Sequence, residues 1–395
     1  MTVTGSGART GPEGLVRALV TDGTLTEDWV PAFRAVPREA FVPDVVWPGT
    51  ASGARQDPAV DRRTDPTAWR DAVYRDVPLT FQWDDGAHQG PSQGTVPSSS
   101  VSMPHMVAGM LADLDVADGI RVLDIGTGAG WNAGLLTWRL GDEHVVTVEV
   151  DPYLAQAARQ RLAAQGLHPH CVTGDGAAGH PGGAPYDRVI ATFSVTDVPA
   201  AWLEQTVPGG LIVVPWGTEY GGEAVARLTV TPGGTAEGRF TRSSAFMRMR
   251  SQRGVRPPFD AYLHGRPWPA DGRRSTTTLS PAHTGGWIEQ FVIGLQVPRA
   301  FWRSERYDDG TYTLWLHDPT DTRCWASADW EPGRARYDVV QAGPRSLWDE
   351  VEAAWRWWDA RGRPGFTRFG LTVDATGQHP WLDTPDHPLD MPRSF

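Results

Sequence analysis

The chain has 395 residues, 40% of them hydrophobic, and a formal net charge of −11 at pH 7. This length predicts two or three domains with a sizeable core, and the acidic balance excludes broad nucleic-acid binding, which needs a basic surface. No run of eighteen apolar residues occurs and the first residues are polar. We therefore predict neither a membrane span nor a secretory signal, and we expect a cytoplasmic protein.

The cysteine and lysine content removes several kinds of chemistry. Cys171 and Cys324 are the two cysteines, and the sequence contains no lysine. Two cysteines do not supply a disulfide framework or a cysteine zinc site, and we predict no metal site. Without lysine, Schiff-base catalysis and a phosphate-binding P-loop are excluded.

The N-terminal part is predicted to be helical. Leu15 and Leu19, and then Val30 and Phe33, have helical spacing, and residues 37–43 (PREAFVP) end that pattern. Residues 86–102 are rich in serine, glycine and proline. We predict a helical lid followed by an active-site loop over residues 13–104.

A glycine-rich turn follows an apolar strand at residues 122–131 (VLDIGTGAGW). Such a turn lets the backbone approach a nucleotide-type cofactor closely, with helix N–H groups directed at it. The predicted cofactor contacts in this segment are Asp124, Gly126, Thr127, Gly128 and Gly130. A turn of this kind alone fits dinucleotides as well as S-adenosylmethionine.

Two further strand ends separate these cofactors. Residues 145–150 (VVTVEV) place Glu149, followed by Val150, where a carboxylate accepts hydrogen bonds from ribose hydroxyls. Residues 171–176 (CVTGDG) place Asp175 and Gly176 where an adenine amino group would lie. These segments resemble class I methyltransferases, so we predict S-adenosyl-L-methionine as the cofactor and a Rossmann-like, doubly wound α/β domain over residues 105–223.

Residues 224–395 are predicted to form a tryptophan-rich α+β domain that recognises a peptide. A helix near residues 347–358 carries an apolar stripe that includes Leu347, Val351 and Trp355. Such a stripe fits a buried core or a binding face, and periodicity favours the core.

The segment 98–106 (SSSVSMPHM) resembles the protein-L-isoaspartate O-methyltransferase family, as do the PREAFVP, GDG, PYDRVI and PGG segments. The resemblance covers about residues 13–220. It implies that Ser102 and Ser100 are catalytic and that Ser99, Ser100 and Val101 line the cofactor. His105 is a candidate substrate contact or a structural hydrogen-bonding residue. The family often has a second histidine where this chain has Val107.

The resemblance implies methyl transfer to a carboxylate, which is already ionised at neutral pH and needs placement rather than a general base. The chain continues for about 170 residues beyond the predicted nucleotide-binding domain. In this it resembles longer relatives that methylate an aspartate of a cyclised, ribosomally made peptide, as in graspetide and lanthipeptide pathways. The methyl ester in those systems leads to succinimide or isoaspartate. The alternative is repair of isoaspartyl residues in damaged proteins. A non-enzymatic reader and a small-molecule O-methyltransferase are less favoured.

A basic segment supports the peptide hypothesis. Residues 241–274 contain eight arginines and two aspartates. We predict that Arg248 and Arg250 contact substrate and that the segment attracts an acidic peptide. The competing interpretation is that these arginines are solvated or stacked on tryptophans.

Overall fold

The computed structural model describes residues 11–49, 57–90, 92–269 and 271–389. Its N-terminal part combines three helices with a four-stranded antiparallel sheet of order β2-β1-β3-β4. In chain order these elements are α1 (Pro12–Thr21), α2 (Val30–Ala35), β1 (Val45–Pro48), β2 (Val60–Asp61), α3 (Pro66–Tyr74), β3 (Leu79–Trp83) and β4 (Pro97–Val101). The predicted helices are present, but the sheet was not predicted, and the end of the expected active-site loop is strand β4.

The middle part is the predicted parallel α/β unit. Its elements are α4 (Pro104–Leu114), β5 (Val122–Ile125), α5 (Trp131–Leu140), β6 (Val145–Glu149), α6 (Pro152–Ala164), β7 (His170–Thr173), β8 (Tyr186–Ala191), α7 (Ala200–Glu204) and β9 (Thr206–Gly217). The strands β7, β6, β5, β8 and β9 are adjacent in this order and parallel. This confirms the class I methyltransferase fold, with its glycine turn after the central strand β5.

The C-terminal part is rich in antiparallel strands. Its elements are β10 (Glu223–Val230), β11 (Ala236–Ser244), α8 (Phe259–Leu263), β12 (Arg273–Thr277), α9 (Trp287–Gln296), β13 (Phe301–Arg306), β14 (Tyr312–His317), β15 (Trp325–Trp330), β16 (Tyr337–Ala342), α10 (Leu347–Asp359), β17 (Phe369–Asp374) and β18 (Gly377–Leu382). The predicted α+β character is therefore present.

One sheet crosses the boundary that was predicted at residues 223 and 224. Strands β10, β11, β17 and β18 extend the parallel sheet in antiparallel fashion, so that nine strands lie in the order β18-β17-β11-β10-β9-β8-β5-β6-β7. The predicted boundary coincides with the first residue of β10 and not with a break in the structure. The remaining strands β12 to β16 form a separate five-stranded antiparallel sheet.

Both faces of the large sheet are buried. Along β9, Ile212 and Val214 belong to the core formed with α9 and α10, whereas Val213 belongs to the core formed with the N-terminal helices. This alternation follows from the two-residue period of a β-strand. The stripe on α10 is buried, which favours the core interpretation of its aromatic residues.

None of the helices in the described ranges combines the length and the apolar character that a membrane span requires. The same ranges contain no group of three or more histidine, cysteine, aspartate or glutamate side chains arranged to hold a metal ion.

Trp348→Ala tests whether the C-terminal helices and the parallel strands share one core. Trp348 on α10 is 1% exposed and packs in the core that also contains residues of strands β5 to β9. We expect a loss of about 3 to 5 kcal/mol of stability from the lost burial and the cavity. The measurement is the urea midpoint followed by circular dichroism. The matched control is Trp138→Ala, since Trp138 is 41% exposed. Equal midpoints for the two variants would contradict this arrangement.

Candidate active site

A cleft of about 1520 Å³ lies at the carboxyl ends of the parallel strands. Ligands of open α/β sheets bind at this edge. The walls come from all three parts of the chain. The predicted site residues that line it are Ser99, Ser100, Ser102, His105, Gly126, Gly128, Glu149, Val150, Asp175, Gly176, Arg248 and Arg250.

The glycine turn forms one wall. The N–H of Gly126 donates to the carbonyl of Val148 at 2.8 Å, which closes the turn over β6. Gly126 has φ +90°, and a Cβ there would lie 2.7 Å from the Phe193 ring. Gly128 has φ +53°. Only glycine meets both the backbone and the space requirement at residue 126. The glycine turn therefore fits a cofactor that approaches the backbone closely.

Glu149 lies at the end of β6 and faces this cleft while being almost fully buried. Its carboxylate accepts the N–H of Gly128 at 2.8 Å and the N–H of Asp151 at 3.0 Å. A carboxylate has about four acceptor positions. Two are therefore left for ribose hydroxyls. Burial raises the pKa of Glu149, and the two backbone hydrogen bonds oppose that rise.

Asp175 and its neighbour form the next part of this wall. The Asp175 side chain accepts the N–H of Ala177 at 2.9 Å, and the residue lines the cleft. A Cβ on Gly176 would lie 2.5 Å from Ile125. The chain therefore holds Asp175 at a fixed turn where an adenine amino group can be recognised.

Asp124 does not line the cleft, and its placement corrects the prediction of a cofactor contact. It is fully buried, and its two oxygens accept from the Asn132 amide and the Thr147 hydroxyl, each at 2.8 Å. Burial raises the pKa of Asp124 to about 6, against the effect of these hydrogen bonds. Asp124 therefore supports the glycine turn from behind.

Three other predicted contacts also lie behind the cleft surface. Thr127 is buried and hydrogen-bonded through its hydroxyl to that of Thr147 at 2.6 Å. Gly130 is the N-cap of α5, and a Cβ there would contact Phe41. Val101 is buried in the N-terminal core. These positions shape the glycine turn and strand β4 without lining the cleft.

Ser99 and Ser100 lie on strand β4, which pairs with β3, and Ser102 follows it. We call β4 with Ser102 the serine strand, and it lies opposite the glycine turn. A Cβ placed on Gly128 would lie 3.6 Å from the Ser99 hydroxyl and 3.9 Å from the Ser100 carbonyl oxygen. Ser99, Ser100 and Ser102 all line the cleft. The structure therefore brings the Ser99 hydroxyl close to the predicted cofactor turn, with Ser100 and Ser102 in the same cleft.

Arg38 positions this strand, a role that the sequence analysis missed. Its buried guanidinium donates to the carbonyls of Val101 at 3.0 Å and Ser102 at 2.8 Å, and to those of Val73 and Val77 at 2.7 and 3.0 Å. Burial lowers the pKa of Arg38 to about 9. The arginine of the PREAFVP segment therefore fixes the end of the serine strand.

His105 lies at the start of α4 and is partly exposed. Its backbone N–H donates to the Asp76 carboxylate at 2.8 Å. Its ring Nδ1 lies 3.2 Å from the Thr24 hydroxyl and 3.6 Å from the Asp22 carboxylate. These contacts tie α4 to the N-terminal part. They give His105 a structural role while it still lines the cleft. Val107, two residues later, is buried in the core.

Arg248 and Arg250 line the cleft but are engaged by other groups. The Arg248 guanidinium donates to the carbonyl of Gly217 at 3.0 Å and lies 3.7 Å from Glu223. Arg250 lies 3.0 Å from Asp85 and 3.4 Å from Asp151. Neither side chain is free to pair with a substrate carboxylate without giving up these partners.

The same holds for most of the basic segment 241–274. Arginines 242, 253, 256, 266 and 273 have carboxylate partners, and Arg274 stacks over Trp268 at 6.0 Å. The carboxylates are Asp113, Asp85, Glu219, Asp271 and Asp349. Apart from Asp271, these carboxylates lie outside the segment, and they offset the positive charge counted along it. Arg274 shows the stacking on tryptophan that the competing interpretation includes, whereas the ion pairs belong to neither interpretation.

The comparisons with known proteins match this geometry. Residues 58–250 match the model of the protein-L-isoaspartate(D-aspartate) O-methyltransferase family. The protein-L-isoaspartate O-methyltransferase of Ignicoccus hospitalis is 34% identical over 223 residues, which cover 56% of this chain and 88% of the relative. That of Methylorubrum extorquens is 35% identical over 211 residues, which cover 53% and 75%. The chain belongs to this family.

Membership in the family makes the chain an S-adenosylmethionine-dependent carboxyl O-methyltransferase, and the cleft residues fit that cofactor. A solved structure named protein-L-isoaspartate O-methyltransferase has a similar fold, with a TM-score of 0.52 and 21% identity, and covers 95% of this chain and 100% of that one. The similarity of fold therefore includes most of the residues beyond 223.

Glu149→Gln tests the ribose-binding role. The amide loses the charge and turns a donor toward one backbone N–H, so we expect the Kd for S-adenosylmethionine to rise at least about ten-fold, the size of a lost charge-assisted hydrogen bond. Isothermal titration calorimetry measures the Kd. The wild-type affinity should also weaken as the pH falls toward the raised pKa of Glu149, because the protonated acid is the poorer acceptor. The control is Glu143→Gln, since Glu143 is exposed, and equal affinities would contradict the assignment.

Proposed function

We propose that this enzyme methylates the free carboxylate of an L-isoaspartyl residue in a polypeptide. The observation that carries the proposal is the apposition of the serine strand and the glycine turn, where the Ser99 hydroxyl lies within 3.6 Å of a Cβ built on Gly128. An acceptor group held by the serines therefore lies against the cofactor wall. The family to which the chain belongs supports the same acceptor.

The residues of the site suit a carboxylate acceptor. The bound cofactor supplies an electrophilic methyl group on a sulfonium. The carboxylate is ionised at neutral pH, with an ordinary pKa near 4, so the chain has no proton to remove from it. Its task is to hold the acceptor oxygen in line with the methyl group, which is an effect of orientation.

Neutral hydroxyl donors suit this task better than cations. The acceptor loses its negative charge as the ester forms, so a free arginine would stabilise the ground state more than the transition state. Ser100 and Ser102 line the cleft, whereas Arg248 and Arg250 are engaged by Glu223, Asp85 and Asp151. The site thus offers hydrogen bonds without an uncompensated positive charge.

The ester prepares a second step that the polypeptide substrate completes. The following backbone nitrogen attacks the ester carbonyl carbon, its proton and the methoxy group leave as methanol, and a succinimide ring closes. Hydrolysis of the succinimide gives aspartate or isoaspartate. Repair and tailoring share this chemistry and differ in the substrate that enters the cleft.

The narrower candidate is tailoring of one cyclised, ribosomally made peptide. Its support is that part of the cleft wall lies beyond residue 250, where the family model ends. Trp287, Gln290 and Trp302 from α9 and β13 line this part. Such a wall restricts the shapes that reach the serines, which is the requirement of a dedicated enzyme.

Ser102→Ala should lower kcat about ten-fold, because one hydrogen bond that positions the acceptor is lost. The Kd for S-adenosylmethionine should remain unchanged. Methyl transfer to an isoaspartyl hexapeptide and calorimetry measure the two quantities. Ser304→Ala on the exposed part of β13 is the control. An unchanged kcat would remove Ser102 from the site.

A substrate panel separates repair from tailoring. Linear isoaspartyl, linear aspartyl and side-chain-cyclised aspartyl peptides of one sequence are incubated with S-adenosylmethionine and followed by mass spectrometry. We expect the linear isoaspartyl peptide to gain one methyl group and then lose methanol. Turnover of the cyclised aspartyl peptide alone would replace repair by tailoring, and no turnover of any peptide would contradict both.

A further inference from the structure

A second cavity, of about 400 Å³, lies on the five-stranded sheet outside the site described above. It is lined by aromatic and acidic side chains of β13 to β15 and of the segment around α8. Its lining includes Phe259, Trp268, Glu305, Thr313, Trp315, Asp329 and Glu331.

Two carboxylates of this cavity share one row of the sheet. Glu305 pairs in register with Thr313, and Thr313 pairs with Asp329, so the three residues cross β13, β14 and β15 on the same face. Asp329 accepts the Thr313 hydroxyl at 2.7 Å, and Glu305 accepts the Trp315 indole N–H at 3.4 Å. Across the described ranges neither carboxylate forms an ion pair, so each has acceptor capacity left.

Aromatic rings meet at large angles beside these carboxylates. The Trp268 ring lies 6.2 Å from that of Trp315 with 81° between their planes, and the Phe259 ring lies 4.7 Å from Trp315 with 73° between planes. Because the planes of these rings are nearly perpendicular, the cavity is bordered by ring faces as well as ring edges. A cation held over an aromatic face is attracted by the ring quadrupole.

Among the described residues, the cavity lining contains three carboxylates and no cationic side chain, whereas the arginines Arg274, Arg303 and Arg306 lie around it. Glu331 lies 2.8 Å from Arg334, so this pair is compensated. The nearby Arg303 lies on the same face and donates to the Pro257 carbonyl at 3.4 Å, and Arg274 stacks over Trp268. His317 is buried beside Trp315, and burial lowers its pKa to about 4, so that it adds no charge at neutral pH.

The cavity lies close to the rim of the active-site cleft. Arg256 lines the cleft, and Phe259, three residues later, lines the cavity. On the edge strand β13, Trp302 lines the cleft and Glu305 lines the cavity. Three residues of extended chain span about 10 Å. Because Trp302 and Glu305 are an odd number of residues apart, their side chains project from opposite faces of the sheet. A peptide that leaves the cleft and passes around the edge strand β13 can therefore reach the cavity.

We propose that this cavity, which we call the cation pocket, binds a lysine or arginine side chain of the peptide substrate near the residue that is methylated. The proposal rests on the proposed function, because that function places a peptide in the cleft. The aromatic rings supply the contact with the cationic group and its alkyl stem, and Glu305 and Asp329 accept its hydrogen bonds.

Two arms test the cation pocket. In the first, isoaspartyl peptides carry one lysine at successive positions on either side of the isoaspartyl residue, with norleucine peptides for comparison. We expect lysine at one favoured spacing to lower KM about ten-fold with kcat unchanged. The double variant Glu305→Gln/Asp329→Asn should remove that difference, and Asp308→Asn, an exposed residue of the same hairpin outside the cavity lining, should retain it.

The second arm does not depend on methyl transfer. Choline and its neutral analogue 3,3-dimethylbutanol are titrated into the full-length protein while the tryptophan indole N–H signals are followed by NMR, with Trp268→Phe assigning the Trp268 signal. We expect choline to shift that signal in wild type and in Asp308→Asn, and to leave it unshifted in the double variant. The neutral analogue should have no effect in any protein.

The outcomes separate the pocket from the proposed function. No transfer to any peptide, together with the choline shift, would contradict the function and leave a cation site in place. Transfer without a lysine effect, or a lysine effect that persists in the double variant, would overturn the substrate role of the pocket. Equal shifts with choline and 3,3-dimethylbutanol would show an apolar cavity only.

Discussion

The buried guanidinium of Arg38 is the interaction on which the arrangement of the active site depends. It satisfies carbonyl groups from two separate segments, one before β3 and one at the end of β4. A buried charge is costly unless hydrogen bonds replace its hydration. The carbonyls therefore cannot move away from Arg38 without a large penalty. The guanidinium also lies over the Trp131 ring, 5.4 Å from its centroid, and Trp131 is the first residue of the helix that follows the glycine turn. Arg38 thus contacts both the end of β4 and the helix next to the glycine turn.

The parallel part of the fold was predictable because its signals are local. Short apolar strands, a glycine turn and an acid at each strand end occur in chain order, and the structure places Gly126, Glu149 and Asp175 as expected. Asp124 differs because its position at a strand end does not determine which side of the sheet edge its carboxylate faces. The hydroxyl of Thr147 and the amide of Asn132 decide that orientation, and both come from other elements.

Strand β4 and the pairing of the arginines could not be read from local sequence. Serine and proline have little preference for strands, and the segment of β4 becomes a strand because β3 offers it a ladder of hydrogen bonds. The carboxylates that pair with Arg250 and Arg253 come from residues about 100 to 170 positions earlier. A count of charges along one segment misses such partners, and for this reason the segment 241–274 was expected to be more basic than the surface that it forms.

The pairing of β11 with β17 has a consequence for how the protein is made. Strand β11 ends at residue 244, but its outer partner begins at residue 369, so the ribosome must add more than a hundred residues before that edge is covered. Until then the nascent polypeptide exposes a row of unpaired backbone groups, the kind of edge that recruits foreign strands. Native pairings between such distant positions also form slowly. Biosynthesis of this enzyme therefore passes through a stage in which the edge of β11 is exposed, and a chain that ends between β11 and β17 keeps that edge uncovered.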